Sequence, residues 1–465
     1  MSAKVFADAG NKVYLSQKEI PTPYVAFSTK YLQTKFGVVI TASHNPKNDN
    51  GYKVYACNGA QIVSPIDKKI ADCIQKSLEP LPSSWDWENV CSHPCVEDKL
   101  EEIVQAYTKA QLEGIHFNSN EANAKAPLSV VYSAMHGVGF EPAKNLVKAF
   151  GFSDKFLVPV LEQCTPDPDF PTVTFPNPEE RTSLALSKNF ADQHNLRVIF
   201  ANDPDADRLA IAEKKSTVSS KILKTIAKRE GFNFIETLTG FKWMGNKTFD
   251  LYQEDPQNKV IFAFEEAIGF MCGDAVLDKD GVSALAVASE LVVDAYSKGE
   301  TLYSRLDSLF DKYGLHLSNN GYYICHEKQK TDQMFSRIRD WPGSEFRLAT
   351  VHGEPKAKFP SVIGNARILA IRDLTVDFDD ETHDKRAILP VSTSSHAITF
   401  QLDNGVTFTL RTSGTEPKIK FYSELISDPG KNDKRQELNK FLTDFIEEMV
   451  ELLYEPKKNN FIPQE

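Results

Sequence analysis

Residues 198–208 read VIFANDPDADR, and this stretch decides how the rest of the sequence is interpreted. Its first four residues form a short apolar run of the kind that becomes a buried strand. Three aspartates then follow at alternate positions, before an arginine: Asp203, Asp205, Asp207 and Arg208. In open α/β sheets, ligands gather beyond the carboxyl ends of the strands. The stretch therefore predicts an α/β domain with a polar site at the end of a strand.

The same plan recurs on both sides of this stretch. An apolar strand from Leu128 leads into HGVG at residues 136–139 and a helix through Phe150. A second apolar strand, Val260 to Phe264, ends at two glutamates. The helix after it has apolar residues on one face: Val282, Leu285, Ala288, Leu291, Val292 and Ala295. These repeats predict several similar α/β units.

The N-terminal part of the chain has the same α/β character. The segments from Phe36 to Ile40 and from Gly51 to Tyr55 are predicted as two strands separated by a polar turn. Ser64, Pro65 and Asp67 predict the start of a helix, with a serine cap and proline at the first helical position.

After about Leu315 the sequence changes to alternating strands such as Val406 to Leu410. A closing helix is predicted from the helical spacing of Leu438, Phe441, Leu442, Phe445, Ile446 and Met449. The predicted fold class is α/β, with three similar mixed domains and a C-terminal α+β domain around a central cleft. The predicted boundaries are 1–100, 101–217, 218–316 and 317–465.

Composition excludes several classes of protein. A net charge of −11 argues against binding of nucleic acid, which requires clustered Lys and Arg. No run of eighteen apolar residues occurs, and the first ten residues lack the pattern of a signal peptide. We expect a cytoplasmic monomer that does not bind membranes and that concentrates its cations in one cleft to bind a small anionic ligand.

The seven cysteines form no dense, even framework, which favours reduced thiols. Cys91 and Cys95, with His93 between them, resemble half of a zinc site, but no second pair follows at the spacing of metal ligands. We interpret them as ordinary loop cysteines.

The three aspartates after residue 201 suit a hard cation. Oxygen-only ligands are typical of magnesium, calcium or manganese sites. An EF-hand would need glycine at loop position six and glutamate at position twelve, where this chain has Arg208 and Lys214. A solvated acidic turn is the alternative, and it is disfavoured by the buried strand that comes directly before.

Residues 41–46, TASHNP, follow a predicted strand, so a tight turn can expose the Ser43 hydroxyl beside His44 and Lys53. A serine in this setting is either a nucleophile, a phosphate carrier or a simple turn cap. Residues 411–418, RTSGTEPK, join two predicted strands and offer hydroxyls, a glycine and two cations to a phosphate. This loop lacks the ending of a Walker motif, so nucleotide binding is not indicated.

Taken in order, these loops resemble the four signature loops of the α-D-phosphohexomutase superfamily. Five segments carry the likeness to its eukaryotic branch, which contains phosphopentomutase and glucose-1,6-bisphosphate synthase: TASHNPKNDNGYKVY (41–55), ETLTGFKWMGN (236–246), FAFEEAIGF (262–270), LDKDG (277–281) and RTSGTEPKIK (411–420). The resemblance covers nearly the whole chain.

The resemblance implies a role for each matching residue. Ser43 would carry the phosphoryl group, and with Asp203, Asp205 and Asp207 it would bind Mg²⁺. Arg208 would lie beside that phosphate, His44 next to the serine, and Lys53 and Lys279 would be candidates for proton transfer. The implied substrate contacts are Thr239, Gly240, Lys242 and Glu265 for the sugar, and Arg411, Ser413, Gly414, Thr415 and Lys418 for the non-reacting phosphate.

The implied activity is an intramolecular phosphotransfer on a sugar phosphate. Phosphoserine would donate its phosphoryl group, a bisphosphate would form and turn over, and the serine would be rephosphorylated. A sugar bisphosphate would act as the activator. A glucose-1,6-bisphosphate synthase, an inert sugar-phosphate-binding remnant and a metal-dependent phosphatase are the alternatives.

The sequence departs from the family pattern in three places. It lacks a glycine-rich opening segment with its arginine, and Glu213-Lys214-Lys215 runs straight into residue 216, where the family has a further loop, helix and strand. It also has Glu-Glu-Ala at 265–267 where the glucose-selective branch has Glu-Glu-Ser. We expect the first two departures to expose apolar surface, to lower solubility and to weaken activity.

Overall fold

The computed structural model describes residues 1–180, 182–213, 221–392, 395–413 and 417–464. It divides into two compact units. The first comprises Met1–Thr217 and Thr239–Tyr303, and the second comprises Val218–Leu238 and Ser304–Glu465. Each unit has its own hydrophobic core.

The elements up to residue 213 all belong to the first unit. In chain order they are α1 (Ser2–Asp8), β1 (Val13–Tyr14), α2 (Thr22–Tyr31), β2 (Phe36–Ile40), β3 (Tyr52–Ala56), α3 (Ile66–Gln75), β4 (Val96–Glu97), α4 (Leu100–Ile115), α5 (Asn120–Ala124), β5 (Val130–Ser133), α6 (Phe140–Ala149), β6 (Leu157–Pro159), α7 (Ala185–Gln193), β7 (Val198–Ala201) and β8 (Ala210–Glu213).

The remaining elements start at residue 222. They are α8 (Ile222–Glu230), α9 (Phe241–Glu254), β9 (Phe262–Glu265), β10 (Gly269–Cys272), α10 (Gly281–Ser297), α11 (Leu302–Tyr313), β11 (His316–Ser318), β12 (Gly321–Ile324), α12 (Lys328–Arg339), β13 (Phe346–Val351), β14 (Glu354–Pro360), β15 (Val362–Ile363), β16 (Ala366–Asp373), β17 (Phe378–Asp379), β18 (Ala397–Leu402), β19 (Val406–Thr412), β20 (Lys418–Ile426), α13 (Arg435–Tyr454), α14 (Pro456–Asn459) and β21 (Ile462–Pro463).

A four-stranded sheet with the order β6-β5-β7-β8 organises the first unit. Strand β5 is parallel to both β6 and β7, whereas β8 returns antiparallel to β7. Every residue of β5 and of β7 is buried, which explains why both strands are continuous apolar or small-residue runs. The strand predicted at 198–201 and the helix predicted after residue 139 are confirmed.

The segment that carries Ser43 connects β2 and β3, which pair in antiparallel register from Phe36↔Ala56 to Ile40↔Tyr52. The strand predicted from Phe36 to Ile40 is confirmed. The second strand begins at Tyr52, one residue later than predicted. Phe36, Ile40 and Tyr52 are exposed on this two-stranded sheet.

The predicted serine cap on α3 is wrong. The helix starts at Ile66, so Pro65 takes the capping position itself and has no side-chain oxygen to offer. The Asp67 carboxylate instead accepts from the N–H of the following lysine, at 2.8 Å.

The third predicted α/β repeat is present with shifted bounds. Strand β9 begins at Phe262, two residues after the predicted start, and it includes Glu265. Helix α10 is buried on most of its surface, but Leu291 was wrongly placed on its buried face and is 44% exposed. Leu291 precedes the buried Val292 by one residue, which rotates it by about 100° around the helix.

A nine-stranded sheet forms the second unit, in the order β15-β16-β18-β19-β20-β12-β21, with β11 beside β20 and β17 beside β16. The central pairs are antiparallel, and buried residues alternate along β19 because one face of the strand packs on the core. The strand predicted at 406–410 is confirmed and extends to Thr412. The predicted closing helix is α13.

None of the helices in the described ranges combines the length and the apolar character needed to cross a membrane. The α/β class predicted from the sequence is confirmed by the alternation of helices and strands.

The core of the second unit gives a stability prediction. Phe408 is fully buried in β19 and stacks on Phe421 with ring centroids 5.9 Å apart. Phe408→Ala should lower the free energy of unfolding by about 3–5 kcal/mol, because it leaves a cavity as well as losing apolar burial. Leu369→Ala, at a position that is 56% exposed on β16, should change it by less than about 0.5 kcal/mol. Urea unfolding followed by circular dichroism measures both, and equal losses would contradict this account of the core.

Candidate active site

The loop after β7 is held in one shape by its own side chains and by Tyr132. The Tyr132 hydroxyl donates to Asn202 Oδ1 at 2.9 Å, and Asn202 Nδ2 donates to the carbonyl of Arg208 across the loop. Ala206, at the turn, has a φ of +55° and is fully buried. A small residue in this left-handed conformation allows the chain to reverse so that neighbouring carboxylates face one region.

Two glycines let other segments approach this loop at backbone distance. A Cβ atom on Gly137 would lie 2.2 Å from Pro204 Cα, and one on Gly281 would lie 2.2 Å from the Arg208 carbonyl oxygen. Val138, next to the first glycine, donates its N–H to the Pro204 carbonyl at 2.8 Å. The HGVG segment and the start of α10 therefore fix the loop from two sides.

The three aspartates converge as the sequence predicted. One carboxylate oxygen from each of Asp203, Asp205 and Asp207 lies within 4.8 Å of the others, and all three residues are buried. Asp205 Oδ1 and Asp207 Oδ1 are buried without a hydrogen-bond partner among the described residues. Buried anionic oxygens without donors are costly unless a cation compensates them. The cluster can therefore hold a divalent metal ion.

Two lysines lie against the same carboxylates. Lys53 Nζ is 2.6 Å from Asp205 Oδ2 and 2.9 Å from Asp207 Oδ2, and Lys279 Nζ is 3.2 Å from Asp207 Oδ2. Burial opposes the charge of each lysine, but the nearby carboxylates outweigh it and raise both pKa values. Both ammonium groups therefore remain charged in this arrangement.

This environment shifts the pKa values of Asp203 and Asp207 in opposite directions. Burial, reinforced by Asp205 and Asp207, raises the pKa of Asp203 well above its ordinary value. Burial also acts on Asp207, but Lys279, Lys53 and Arg208 outweigh it and lower the pKa of that carboxyl. Burial therefore favours the neutral form of Asp203, whereas the neighbouring cations favour the charged form of Asp207.

Ser43 reaches this cluster from the loop between β2 and β3. Its Oγ donates to Asp203 Oδ2 at 2.8 Å, and its N–H donates to Thr41 Oγ1 at 2.9 Å. Ser43 has a φ of +57°, a conformation that a non-glycine residue adopts only when its surroundings impose it. The strained turn thus points the serine hydroxyl at the aspartates.

His44 and Arg208 flank the serine. His44 Nδ1 lies 3.4 Å from Ser43 Oγ, and burial, reinforced by Arg208, lowers the pKa of His44 to about 4, so the ring is neutral at pH 7. Arg208 contacts Glu179 at 3.3 Å, and its Nε lies 3.9 Å from Asp203 Oδ2. This Nε is buried without a hydrogen-bond partner in the described ranges, so a donor is available beside the serine.

The residues predicted to contact the sugar differ in their surroundings and in their exposure. Glu265, at the end of β9, shares the site's electrostatic environment: burial raises its pKa, and Lys279 and Arg208 act in the opposite direction. Gly240 precedes α9 with a φ of +113°, and Phe241 places its ring 5.7 Å from Lys279 Nζ. Thr239 and Lys242 are exposed, and Lys242 lies over the Trp243 ring rather than against the aspartates.

Thr22 is a site residue that sequence reasoning missed. Its hydroxyl donates to Asp205 Oδ2 at 2.6 Å, its N–H donates to the Asp205 carbonyl at 2.9 Å, and it is fully buried. A threonine directly after Pro21 at the start of a buried helix was the available signal. Asp278 was also missed: it accepts from Tyr55 and from Gln61, both at 2.8 Å.

In the second unit, the predicted phosphate loop joins β19 to β20. Gly414 and Thr415 lie outside the described residues. Ser413 donates its N–H to the Lys418 carbonyl at 2.9 Å, which closes the base of the loop. The Arg411 guanidinium lies 5.6 Å from the Tyr422 ring centroid, and Lys418 Nζ lies 4.4 Å from that of Tyr322. Two cations are thus held at this connection by aromatic faces.

Comparison with known proteins places the chain in a family. Sequence models of the phosphoglucomutase/phosphomannomutase α/β/α domains I, II and III match residues 1–80, 105–220 and 195–313. Human phosphopentomutase is 41% identical, with 100% of this chain and 80% of the human protein covered. Human glucose 1,6-bisphosphate synthase is 41% identical, with 99% and 78% covered.

The fold agrees with solved structures of the same family. The open form of Paramecium parafusin, a phosphoglucomutase, matches with a TM-score of 0.59 at 16% identity, over 94% of this chain and 83% of that one. The chain therefore belongs to the α-D-phosphohexomutase superfamily, a class of enzymes that move a phosphoryl group within a sugar phosphate. Within it, the sequence lies in the eukaryotic branch of phosphopentomutase, phosphoribomutase and glucose 1,6-bisphosphate synthase.

The aspartate cluster gives a first prediction for this site. Asp205→Asn removes one anionic ligand from a site that depends on charge, so the affinity for Mg²⁺ should fall by at least about tenfold. Calorimetric titration with magnesium and manganese chloride measures the loss. Unchanged affinity for both metals would exclude Asp205 from the metal ligands.

Thr22 gives a second prediction for this site. Thr22→Val keeps the size of the side chain but leaves Asp205 without its hydroxyl donor, and loss of such an outer contact lowers metal affinity roughly ten- to a hundredfold. Thr34→Val is the matched control, since the Thr34 hydroxyl bonds only to the backbone carbonyl of Thr29 in the described contacts. The same titration applies, and equal affinities for the two variants would show that Thr22 does not orient Asp205.

Proposed function

We propose that this chain is an intramolecular phosphotransferase of the phosphopentomutase type, which interconverts sugar 1-phosphates and 5- or 6-phosphates through phosphoserine at Ser43. The observation that carries the proposal is the 2.8 Å contact between Ser43 Oγ and Asp203 within the aspartate cluster. Ribose and deoxyribose phosphates are the proposed main substrates and glucose phosphate a secondary one. Support for pentoses comes from the relatives named phosphopentomutase and from Ala267 after the two glutamates.

The cluster fits Mg²⁺, and Asp203, Asp205 and Asp207 would hold it together with the phosphorylated Ser43. When bound, the metal would supply positive charge to the phosphoryl oxygens and to the serine oxygen. The sugar hydroxyl attacks phosphorus as the bond from phosphorus to Ser43 Oγ breaks, and the proton that the sugar hydroxyl loses is balanced by the proton that Ser43 Oγ gains.

The protein's own cations act on the same step. Arg208 Nε, which has no hydrogen-bond partner among the described residues, lies near the Asp203 carboxylate that accepts from the serine, and Lys53 and Lys279 keep positive charge near the transferred group. Phosphoryl transfer depends mainly on such positioning and charge stabilisation. Lys53 and Lys279 remain the candidates for proton transfer that the family resemblance implies.

Each of the two units has its own proposed substrate contacts. Glu265 and the loop from Thr239 to Lys242 are the proposed contacts to the sugar hydroxyls. The loop from Arg411 to Lys418 is proposed to bind the phosphate that is not reacting. The bisphosphate must turn over so that its other phosphate reaches Ser43, and the loop must therefore accept two orientations. Free bisphosphate would act as the activator by phosphorylating Ser43.

Glucose 1,6-bisphosphate synthase is the second candidate function. It would use the same serine, metal and phosphate loop but a different phosphoryl donor, and a relative of that name is 41% identical. Product analysis distinguishes the two donors. An inert sugar-phosphate-binding protein would keep the phosphate loop and would not phosphorylate Ser43.

Ser43→Ala tests the mechanism. The variant should lose essentially all conversion of ribose 1-phosphate to ribose 5-phosphate, because the proposed phosphoryl carrier is removed, while binding of ribose 5-phosphate should change by less than about threefold. Turnover is measured with and without glucose 1,6-bisphosphate. Intact mass then shows whether that bisphosphate phosphorylates the unaltered protein and leaves the variant unmodified.

Ser77→Ala, at an exposed serine elsewhere in the first unit, is the control and should behave like the unaltered protein. Full turnover by Ser43→Ala would overturn the mechanism. Phosphorylation of Ser43 with bisphosphate as the accumulating product would favour the synthase. Absence of any phosphorylation, with sugar phosphate still bound, would favour the inert protein, and steady release of inorganic phosphate would indicate a phosphatase.

A further inference from the structure

A polar network lies directly behind the strand end that carries the phosphate loop. His396, one residue before β18, pairs with Thr412 at the end of β19. The His396 N–H donates to Thr412 Oγ1 at 3.0 Å, and the Thr412 N–H donates to the His396 carbonyl at 3.0 Å. Ala397 is opposite Arg411 in the same register. The position of His396 therefore sets the position of Arg411 and Thr412.

The His396 ring is fixed on three sides by α12. Its Nδ1 lies 3.0 Å from Arg339 Nη1, its Nε2 lies 3.0 Å from Asp332 Oδ1, and the ring stacks on Phe335 with centroids 4.4 Å apart. A guanidinium can only donate, so Nδ1 must accept. Nε2 then carries the proton and donates it to Asp332. The two contacts specify one tautomer of the neutral ring.

Arg339 is in turn fixed by a buried acid. Its Nε and Nη2 donate to the two oxygens of Asp373 at 2.6 and 3.1 Å, and Asp373 is fully buried. Nη2 also donates to Thr375 Oγ1 at 2.8 Å. A bidentate pair of this kind fixes direction as well as distance. The position of Arg339 is therefore fixed, and its Nη1 is held against His396.

We propose that His396 and Arg339 are positioning residues for the phosphate loop. Through their hydrogen bonds, the buried Asp373 fixes the position of the end of β19, where Arg411, Thr412 and Ser413 lead into the loop. The proposal rests on the proposed function, because it assumes that this loop binds the substrate phosphate. Both residues belong to the second unit, whereas Ser43 belongs to the first. Loss of the network should therefore weaken binding of the sugar phosphate and leave the transfer step nearly unchanged.

The experiment compares His396→Leu with His396→Gln. Leucine fills the space but leaves Arg339 Nη1 without its acceptor, whereas glutamine can accept from Arg339 through its oxygen and donate to Asp332 through its nitrogen. Calorimetry gives the Kd of ribose 5-phosphate, and steady-state kinetics give KM and kcat. For His396→Leu we expect Kd and KM to rise roughly 5- to 20-fold with kcat within about twofold, and for His396→Gln we expect both constants within about twofold of the unaltered protein.

His383→Leu is the matched control, because His383 is exposed in the loop that leads to β18 and should tolerate the same change. If His396→Leu does not fold, as judged by thermal melting, His396→Asn replaces it, since the shorter amide cannot span both partners and should show the same loss. Equal binding by His396→Leu and the unaltered protein would overturn the proposal, and so would equal losses in the leucine and glutamine variants. Absence of ribose 5-phosphate binding by the unaltered protein would instead overturn the proposed function.

Discussion

Three buried carboxylates within one loop are the constraint on which the first unit depends. Asp203, Asp205 and Asp207 repel one another, and two of their oxygens have no donor in the described part of the chain. Such a cluster remains folded only if cations and a rigid backbone hold it together. Lys53, Lys279 and Arg208 supply the charge. The backbone rigidity comes from Asn202 within the loop and from the glycines that pack against it.

Each of these supports comes from a different part of the first unit. Lys53 is on β3, Thr22 begins α2, Gly137 precedes α6, and Lys279 and Gly281 lie at the start of α10. A cluster that draws its partners from so many elements can form only when the whole unit has folded. The site therefore also connects the β2-β3 sheet to the four-stranded sheet through side chains.

The sequence predicted the features that are local and left out those that depend on tertiary contact. Short apolar runs predicted β2, β5 and β7, and helical spacing predicted α10 and α13, because one element generates its own periodicity. Capping residues and the limits of buried faces were less predictable. Pro65 replaced Ser64 as the capping residue, and Leu291 fell outside the buried face of its helix. Among site residues, the aspartates were visible because their spacing is itself unusual. Thr22 was not, because a threonine after Pro21 signals at most the start of a helix and does not reveal a partner 183 residues away.

The aromatic contacts beside the proposed phosphate loop have a consequence for recognition. Tyr422 and Tyr322 place their rings against Arg411 and Lys418, with the ring centroids 5.6 and 4.4 Å from the two cations. A ring face attracts a cation without removing its charge. Positive charge is therefore kept at the end of β19 and at the start of β20. In the proposed mechanism, charge held at these two strand ends would attract either phosphate of a bisphosphate, whichever of the two is presented.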